Sequence, residues 1–224
     1  MLATRRFATR KYFTQALMVP SRRKLVVFDL DETLMSRYVT GFGSNDQSHI
    51  APCSSRQTYY WINKHAWKVV LPLILKYHTP VILTSSVCHE PRQIRDAITK
   101  DLLEGTGLSF ADVPYIGGNE YGDRYTMKGD KISMLKTQYP FNNFSMQDTL
   151  LIDDNIEHVA SAVLAGANAV RAGQPNYFQD ICSFLELYAD IPQYDTYALG
   201  WDGQNKCVTI DEMQASKPDN VKLT

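Results

Sequence analysis

Short apolar runs alternate with helical segments through most of this chain, and this alternation constrains the fold more than any other feature. The apolar runs are KLVVFDL, TPVILTSS, VPYIGG and DTLLIDDN, and a fifth strand is indicated at Ala169 and Val170. The segments between them carry apolar residues at the spacing of one helix face. Apolar strands separated by helices are typical of a parallel sheet covered on both faces. The sequence therefore predicts an α/β fold with a doubly wound, Rossmann-like and mostly parallel sheet.

Proline and glycine residues indicate where several helices begin and end. Pro72 lies inside an otherwise helical segment, where it predicts either a kink or a first turn. Pro91 stands near the start of a helix that closes at Gly105, and Pro140 ends a helix that begins near Tyr125. Two further helices are predicted in the segments IEHVASAVLAG and YFQDICSFLELYAD.

The composition divides the chain into a core and three segments of different character. Residues 24–190 form the predicted α/β core. Within it, residues 34–62 are rich in Gly, Ser, Asn, Tyr and Pro, so we expect a flap or small insertion after the first strand. Residues 1–23 form a basic N-terminal tail or helix, and residues 191–224 a polar C-terminal extension. Whether the chain is part of a longer protein stays open.

The charges are concentrated at the N-terminus. The net charge is −1, but residues 1–24 carry seven Arg and Lys residues and no acidic residue. Such a segment fits a solvated tail, a mitochondrial transit segment or a membrane-surface helix. Near-neutral overall charge gives no reason to expect a nucleic acid partner. The longest apolar run, residues 69–75, is too short to span a bilayer.

The cysteine and histidine residues show no metal-binding pattern. The four cysteines form no CxxC pair, and the five histidines lack the spacing of metal ligands. We therefore interpret the histidines as surface or core residues, with His89 or His158 near the site as the alternative. Scattered cysteines are typical of a reducing compartment, so we expect a cytoplasmic protein, with mitochondrial targeting by the N-terminus as the alternative.

Acidic residues follow two of the predicted strands. Asp29 and Asp31 end the first strand, and Asp153 and Asp154 end the fourth. Ligands of a doubly wound sheet bind beyond the carboxyl ends of its strands. Four carboxylates meeting there repel one another, and Mg²⁺ relieves this, since it takes hard oxygen ligands and commonly one or two carboxylates with a substrate phosphate. The sequence thus predicts a Mg²⁺ site with room for a phosphate.

Four segments resemble, in chain order, the motifs of the haloacid dehalogenase-like (HAD) hydrolase superfamily. FDLDETL is similar to the first motif, DxDx(T/V), VILTSS to the second, MKGDKISML to the third and LLIDDN to the fourth. The second aspartate of the first motif resembles the phosphatase branch of the superfamily. The resemblance implies a Mg²⁺-dependent phosphatase that hydrolyses a phosphate monoester through an aspartyl-phosphate intermediate.

The resemblance also implies a role for each matched acid. Asp29 would be the nucleophile, and Asp31 the general acid and base. Asp29, Asp31, Asp153 and Asp154 would hold the Mg²⁺ ion, with Asp31 contributing its backbone carbonyl. Asn155 would be a near neighbour of the metal site.

The remaining motif positions leave two choices open. Thr84, or Ser85 as the alternative, would donate a hydrogen bond to a phosphoryl oxygen. Lys128 would neutralise the phosphoryl group and the nucleophile, and Lys131, one helical turn further on, is the alternative.

The lengths of the two segments that could hold a cap domain indicate what size of substrate the site admits. Residues 34–62 are short for a helical cap domain, and residues 86–127 are nearly filled by one helix and one strand. The chain therefore resembles capless or minimally capped members of the family, which implies a bulky substrate such as a phosphoprotein carrying phosphotyrosine, phosphoserine or phosphothreonine. The alternatives are a phosphatase acting on small metabolites or nucleotides and a catalytically inactive module that binds a phosphorylated ligand. A phospho-accepting receiver domain would place its acidic pair first, whereas here the pair comes last.

Overall fold

The computed structural model describes residues 20–36, 60–86, 89–123, 125–189, 198–201 and 207–209. Most of the predicted basic tail, flap and C-terminal extension therefore lies outside the described residues, as do the predictions of membrane contact and targeting that depend on the tail. Among the described helices, none is long and apolar enough to cross a membrane.

The described strands and helices follow the alternation seen in the sequence. The strands are β1 (Leu25–Phe28), β2 (Met35–Ser36), β3 (Tyr60–Trp61), β4 (Thr79–Leu83), β5 (Tyr115–Ile116), β6 (Thr149–Asp153), β7 (Asn168–Arg171), β8 (Ala198–Trp201) and β9 (Cys207–Thr209). The α-helices are α1 (Lys64–Tyr77), α2 (Pro91–Leu102), α3 (Lys128–Leu135), α4 (Ile156–Leu164) and α5 (Tyr177–Leu185). Two short 3₁₀ helices, Phe141–Asn143 and Met146–Asp148, lead into β6.

A five-stranded parallel sheet with the order β5-β4-β1-β6-β7 forms the centre of the protein. Phe28 of β1 lies opposite Ile82 of β4 and Ile152 of β6, so these three strands end at the same edge. The predicted doubly wound, mostly parallel sheet is confirmed. Its register brings the residues that follow β1, β4 and β6 to one place.

The residues of β1 alternate between two hydrophobic cores, one on each face of the sheet. Val26 and Phe28 pack in the core that also contains side chains of α1, α2 and α5. Leu25 and Val27 pack in the core built from α3 and α4. All four side chains are completely buried. This explains why the strand reads as a continuous apolar run, because each of its faces is covered by helices.

The helix predicted over residues 63–78 is confirmed, since α1 runs from Lys64 to Tyr77 and continues through Pro72, which therefore does not mark a first turn. One predicted helix start differs from the structure. α3 begins at Lys128 instead of near Tyr125, because a turn comes first: the backbone N–H of Tyr125 donates to the Asp123 carboxylate, and the Thr126 hydroxyl donates to the same group. Side chains that bond nearby backbone groups compete with helix formation in this way.

Two small antiparallel pairs accompany the sheet. β2 and β3 pair the two ends of the predicted flap, with Met35 opposite Trp61, whereas residues 37–59 between them lie outside the described part of the chain. The indole Nε1 of Trp61 donates to Asp101 of α2 over 2.8 Å, which fastens the base of the flap to the core. β8 pairs with β9 in the predicted C-terminal extension.

Candidate active site

The DxD segment emerges from β1 with both of its aspartates buried. Asp29 is 5% exposed and Asp31 is 3% exposed. The backbone N–H of Asp29 still bonds the carbonyl of Ile152 in β6, so Asp29 keeps the rigidity of the sheet. The hydroxyl of Thr33 lies 3.3 Å from Asp29 Oδ2 and accepts from the backbone N–H of Asp154 over 3.1 Å. Thr33 therefore links the end of β1 to the acidic pair after β6.

Lys128 connects the two acidic segments. Its Nζ donates to Asp29 Oδ1 and, over 2.6 Å, to Asp153 Oδ2. Lys128 and Asp153 are at most 1% exposed. Because Lys128 is the first residue of α3, its side chain starts from a fixed backbone position at the edge of the sheet. The structure thus brings together three residues that lie up to 124 positions apart.

The buried charges shift one another's protonation. Burial by itself lowers the pKa of Lys128, but the Asp29 and Asp153 carboxylates outweigh it and raise that pKa, so the ammonium stays charged. Burial raises the pKa of Asp153, the Lys128 ammonium opposes the rise, and the Asp29 carboxylate adds to it. The single positive charge of Lys128 therefore does not balance the negative charges of the carboxylates at this edge of the sheet.

Three of the four predicted acids meet the geometric requirement for a shared cation. Asp29, Asp153 and Asp154 each offer a carboxylate oxygen, and these oxygens lie within 4.8 Å of one another. Hard oxygen donors suit Mg²⁺, and a divalent cation would relieve the repulsion that raises the pKa of Asp153. The residues present therefore fit the ion. The Asp31 carboxylate is outside this group and contacts His89, 2.8 Å away.

The two candidate hydroxyls, of Thr84 and Ser85, have different surroundings in the structure. Thr84 is 1% exposed, and its Oγ1 accepts a hydrogen bond from the backbone N–H of Ser86 over 3.1 Å. Ser85 lines the cavity beside Asp29, and its buried hydroxyl has no hydrogen-bond partner among the described residues. A buried, unpaired hydroxyl that faces a cavity is suited to bind a polar ligand.

The structure also separates the two candidate lysines. Lys131 is completely buried, and its Nζ donates to the carbonyl of Gly118 over 2.8 Å. Burial and the Lys128 ammonium lower the pKa of Lys131. The backbone N–H of Gly118 in turn donates to the carbonyl of Ser86. Lys131 therefore supports the loops after β4 and β5, whereas Lys128 contacts the carboxylates.

The charged cluster opens into a cavity of about 190 Å³. Its lining includes Asp29, Ser85, Lys128, Asp153, Asp154 and His158. The predicted neighbour Asn155 also lines it and caps α4, since its side chain accepts from the backbone N–H of Glu157 over 2.8 Å.

Two histidines lie at this site, where the sequence had offered a place near the site only as the alternative to a surface or core position. His158 lines the cavity from the first turn of α4, and burial, together with the Lys128 charge, lowers its pKa, which favours the neutral imidazole. Its position four residues after Asp154 could have predicted this placement, because the first turn of α4 directly follows the acidic pair in the chain. His89 contacts Asp31 across 58 positions, and no local pattern in the sequence indicates this contact.

Comparisons with known proteins give distant similarities of fold. No family model matches the sequence, and no curated protein matches it. A HAD-superfamily hydrolase from Ehrlichia chaffeensis is 15% identical over 73% of this chain and 97% of that chain, with a TM-score of 0.47. The HAD domain of effector protein Lem4 from Legionella pneumophila is 15% identical over 77% of this chain and 98% of that chain, with a TM-score of 0.44.

A third similar structure is the N-terminal part of a Bacteroides fragilis protein, which contains a phosphatase domain and is complexed with Mg. It is 13% identical over 74% of this chain and 39% of that chain, with a TM-score of 0.40. All three likenesses are weak. The structure brings the four segments that resemble the HAD motifs to one edge of a five-stranded parallel sheet, which agrees with a HAD-like fold.

Proposed function

We propose that this protein is a Mg²⁺-dependent phosphatase that hydrolyses a phosphate monoester through an aspartyl-phosphate intermediate on Asp29. One observation carries the proposal: the Lys128 ammonium bonds Asp29 and Asp153, and a carboxylate oxygen of Asp154 lies within 4.8 Å of one on each of these two residues. The buried Asp29 carboxylate lies beside the Lys128 ammonium and near the Ser85 hydroxyl, which is unpaired among the described residues. Such an arrangement is suited to phosphoryl transfer.

The first half of the reaction transfers the phosphoryl group to the protein. An oxygen of Asp29 attacks phosphorus in line with the ester bond, an O–P bond forms, and the bond to the leaving oxygen breaks. Asp31 gives its proton to that leaving oxygen. Lys128 offsets the negative charge of the phosphoryl oxygens, and Ser85 donates its hydroxyl hydrogen to one of them. Asp29, Asp153 and Asp154 would hold Mg²⁺, which would supply further charge neutralisation when bound.

The second half returns the protein to its starting state. Asp31, now ionised, takes a proton from a water molecule, whose oxygen attacks phosphorus. The Asp29–phosphorus bond breaks, and inorganic phosphate leaves. Both carboxylates are buried beyond the end of β1, since Asp29 is 5% and Asp31 3% exposed.

A bulky substrate, such as a phosphoprotein, fits the access to this site best. The cavity of about 190 Å³ is smaller than the pockets of roughly 300 Å³ or more that enclose whole small molecules. It accommodates a phosphoryl group and leaves the rest of the substrate outside. Between β4 and α3 the described residues form one helix and one short strand, which contribute no cap domain over the site.

The central experiment is hydrolysis of an aryl phosphate in the presence of Mg²⁺, with wild type compared with Asp29→Asn. We expect wild-type turnover that excess EDTA abolishes, and no turnover by the variant. Asp96→Asn is a matched control, because Asp96 lies on the exposed side of α2, away from the cavity. Full activity of Asp29→Asn, or of wild type in EDTA, would contradict the proposal.

A substrate panel then tests the choice of substrate. Phosphopeptides containing phosphotyrosine, phosphoserine or phosphothreonine should be hydrolysed with a higher kcat/KM than nucleotides or sugar phosphates. The opposite order would favour the small-metabolite alternative. Phosphopeptide binding without turnover would favour an inactive binding module.

A further inference from the structure

The general acid and base assigned above has a buried partner that belongs to none of the four motifs. Nε2 of His89 lies 2.8 Å from Oδ1 of Asp31. The His89 side chain is 10% exposed and the Asp31 side chain 4% exposed, so little water competes for this contact. The contact therefore joins Asp31 to a different part of the chain, the loop between β4 and α2.

The position of His89 is set by the start of α2. Glu90 caps this helix, with its side chain accepting from the backbone N–H of Arg92, and Pro91 is the first helical residue. Arg95 fastens the same helix to the loop before β5 by donating to the carbonyls of Ala111 and Val113. The imidazole therefore projects from a fixed backbone.

Asp29 and Asp31 are held by different partners. Asp29 contacts the Lys128 ammonium and the Thr33 hydroxyl, whereas the Asp31 carboxylate contacts the His89 imidazole. A carboxylate rotates about two side-chain bonds, and one hydrogen bond to a fixed donor selects a single orientation. A general acid and base must point at the leaving oxygen and then at the attacking water, so its orientation affects both half-reactions.

We propose that His89 is a positioning residue that orients the Asp31 carboxylate for proton transfer, by donating a hydrogen bond from Nε2 to Oδ1. This inference rests on the proposed phosphatase function. It adds a residue on which turnover depends through the Asp31 carboxylate, and not by contact with the phosphoryl group or with the carboxylates of Asp29, Asp153 and Asp154.

The test compares His89→Gln with His89→Met, two side chains of similar size of which only glutamine carries an N–H donor. His89→Met should lower kcat by about tenfold to a hundredfold with little change in KM, the cost of misplacing a reacting group by about 1 Å. His89→Gln should recover most of the lost kcat. The loss should be larger for phosphoserine than for an aryl phosphate, because the serine oxygen is the poorer leaving group and depends more on the proton.

Asp31→Asn and His65→Met are measured beside these variants. His65 is an exposed histidine of α1, and its replacement should leave kcat unchanged. If wild type is active and Asp31→Asn inactive, while His89→Met matches wild type on both substrates, the inference is wrong and the proposed function stands. Equal losses in the Gln and Met variants would also overturn it, since they indicate a structural role. Full activity of Asp31→Asn would overturn the proposed function together with the inference.

Discussion

Gly129 packs its backbone against the backbone of α4, and its replacement by alanine should disable the site without touching any charged group. The backbone N–H of Gly129 donates to the Ser161 hydroxyl over 3.0 Å. A Cβ atom at position 129 would lie 2.2 Å from the carbonyl oxygen of Ser161 and 3.0 Å from the backbone nitrogen of Ala162. Both are backbone atoms within α4, so no flexible side chain can move aside.

The size of the expected loss follows from the overlap between a Cβ atom at position 129 and the backbone of α4. Ordinary contact requires about 3.5 Å, so the start of α3 must move away from α4 by roughly 1 Å. Overpacking of this kind costs about 1–3 kcal/mol of unfolding free energy. The preceding residue is Lys128, whose Nζ holds Asp29 and Asp153 together. A shift of about 1 Å at a reacting group lowers turnover by about a hundredfold, so Gly129→Ala should lose both stability and kcat.

The assay combines urea unfolding, followed by circular dichroism, with Mg²⁺-dependent hydrolysis of an aryl phosphate. Gly117→Ala is the matched control, because its Cβ would meet its nearest atoms at 3.7 Å and 3.8 Å, which is ordinary contact. The control should stay within about 0.5 kcal/mol of wild type. Wild-type stability and wild-type kcat in Gly129→Ala would show that the contact between α3 and α4 does not position the lysine.

Three further predictions concern residues around the sheet. The nitrogens of His78 bond a backbone N–H and a backbone carbonyl, and burial lowers its pKa from 6.5 to about 4. As the pH falls, the unfolded state therefore takes up the proton first, so wild type should lose about 2 kcal/mol of unfolding free energy between about pH 7.5 and about pH 5. His78→Gln should lose much less in urea titrations at the two pH values, and equal losses would refute this assignment. Lys131→Met removes the bond to the Gly118 carbonyl and should raise KM for an aryl phosphate more than it lowers kcat. An unchanged KM would argue against the role of Lys131 in supporting the loops after β4 and β5. Trp61→Phe removes the bond to Asp101 and should lower the unfolding free energy by about 1 kcal/mol. An unchanged urea midpoint would show that this bond does not stabilise the fold.

Local sequence patterns predicted the central strands β1 and β6 because neither has a solvent-facing side. The residues of β1 are all buried, and those of β6 likewise, so each strand is visible as an uninterrupted apolar run. The acids that follow these strands were equally visible. Helix boundaries were less predictable, as the start of α3 shows, because the competing turn at Asp123 depends on side-chain bonds that periodicity does not register.

The sequence by itself determined the fold class and the types of residue at the carboxyl ends of the strands, since both follow from hydrophobic runs and their immediate neighbours. Only the tertiary structure decided which of the two candidate hydroxyls and which of the two candidate lysines faces the cavity. Lys128 and Lys131 lie on the same short helix, and the close contact of that helix with α4 directs the first to the carboxylates and the second to the Gly118 carbonyl. The contact between His89 and Asp31 depends on how two loops are placed by different strands, and a pattern read along neighbouring residues carries no information about such a distance.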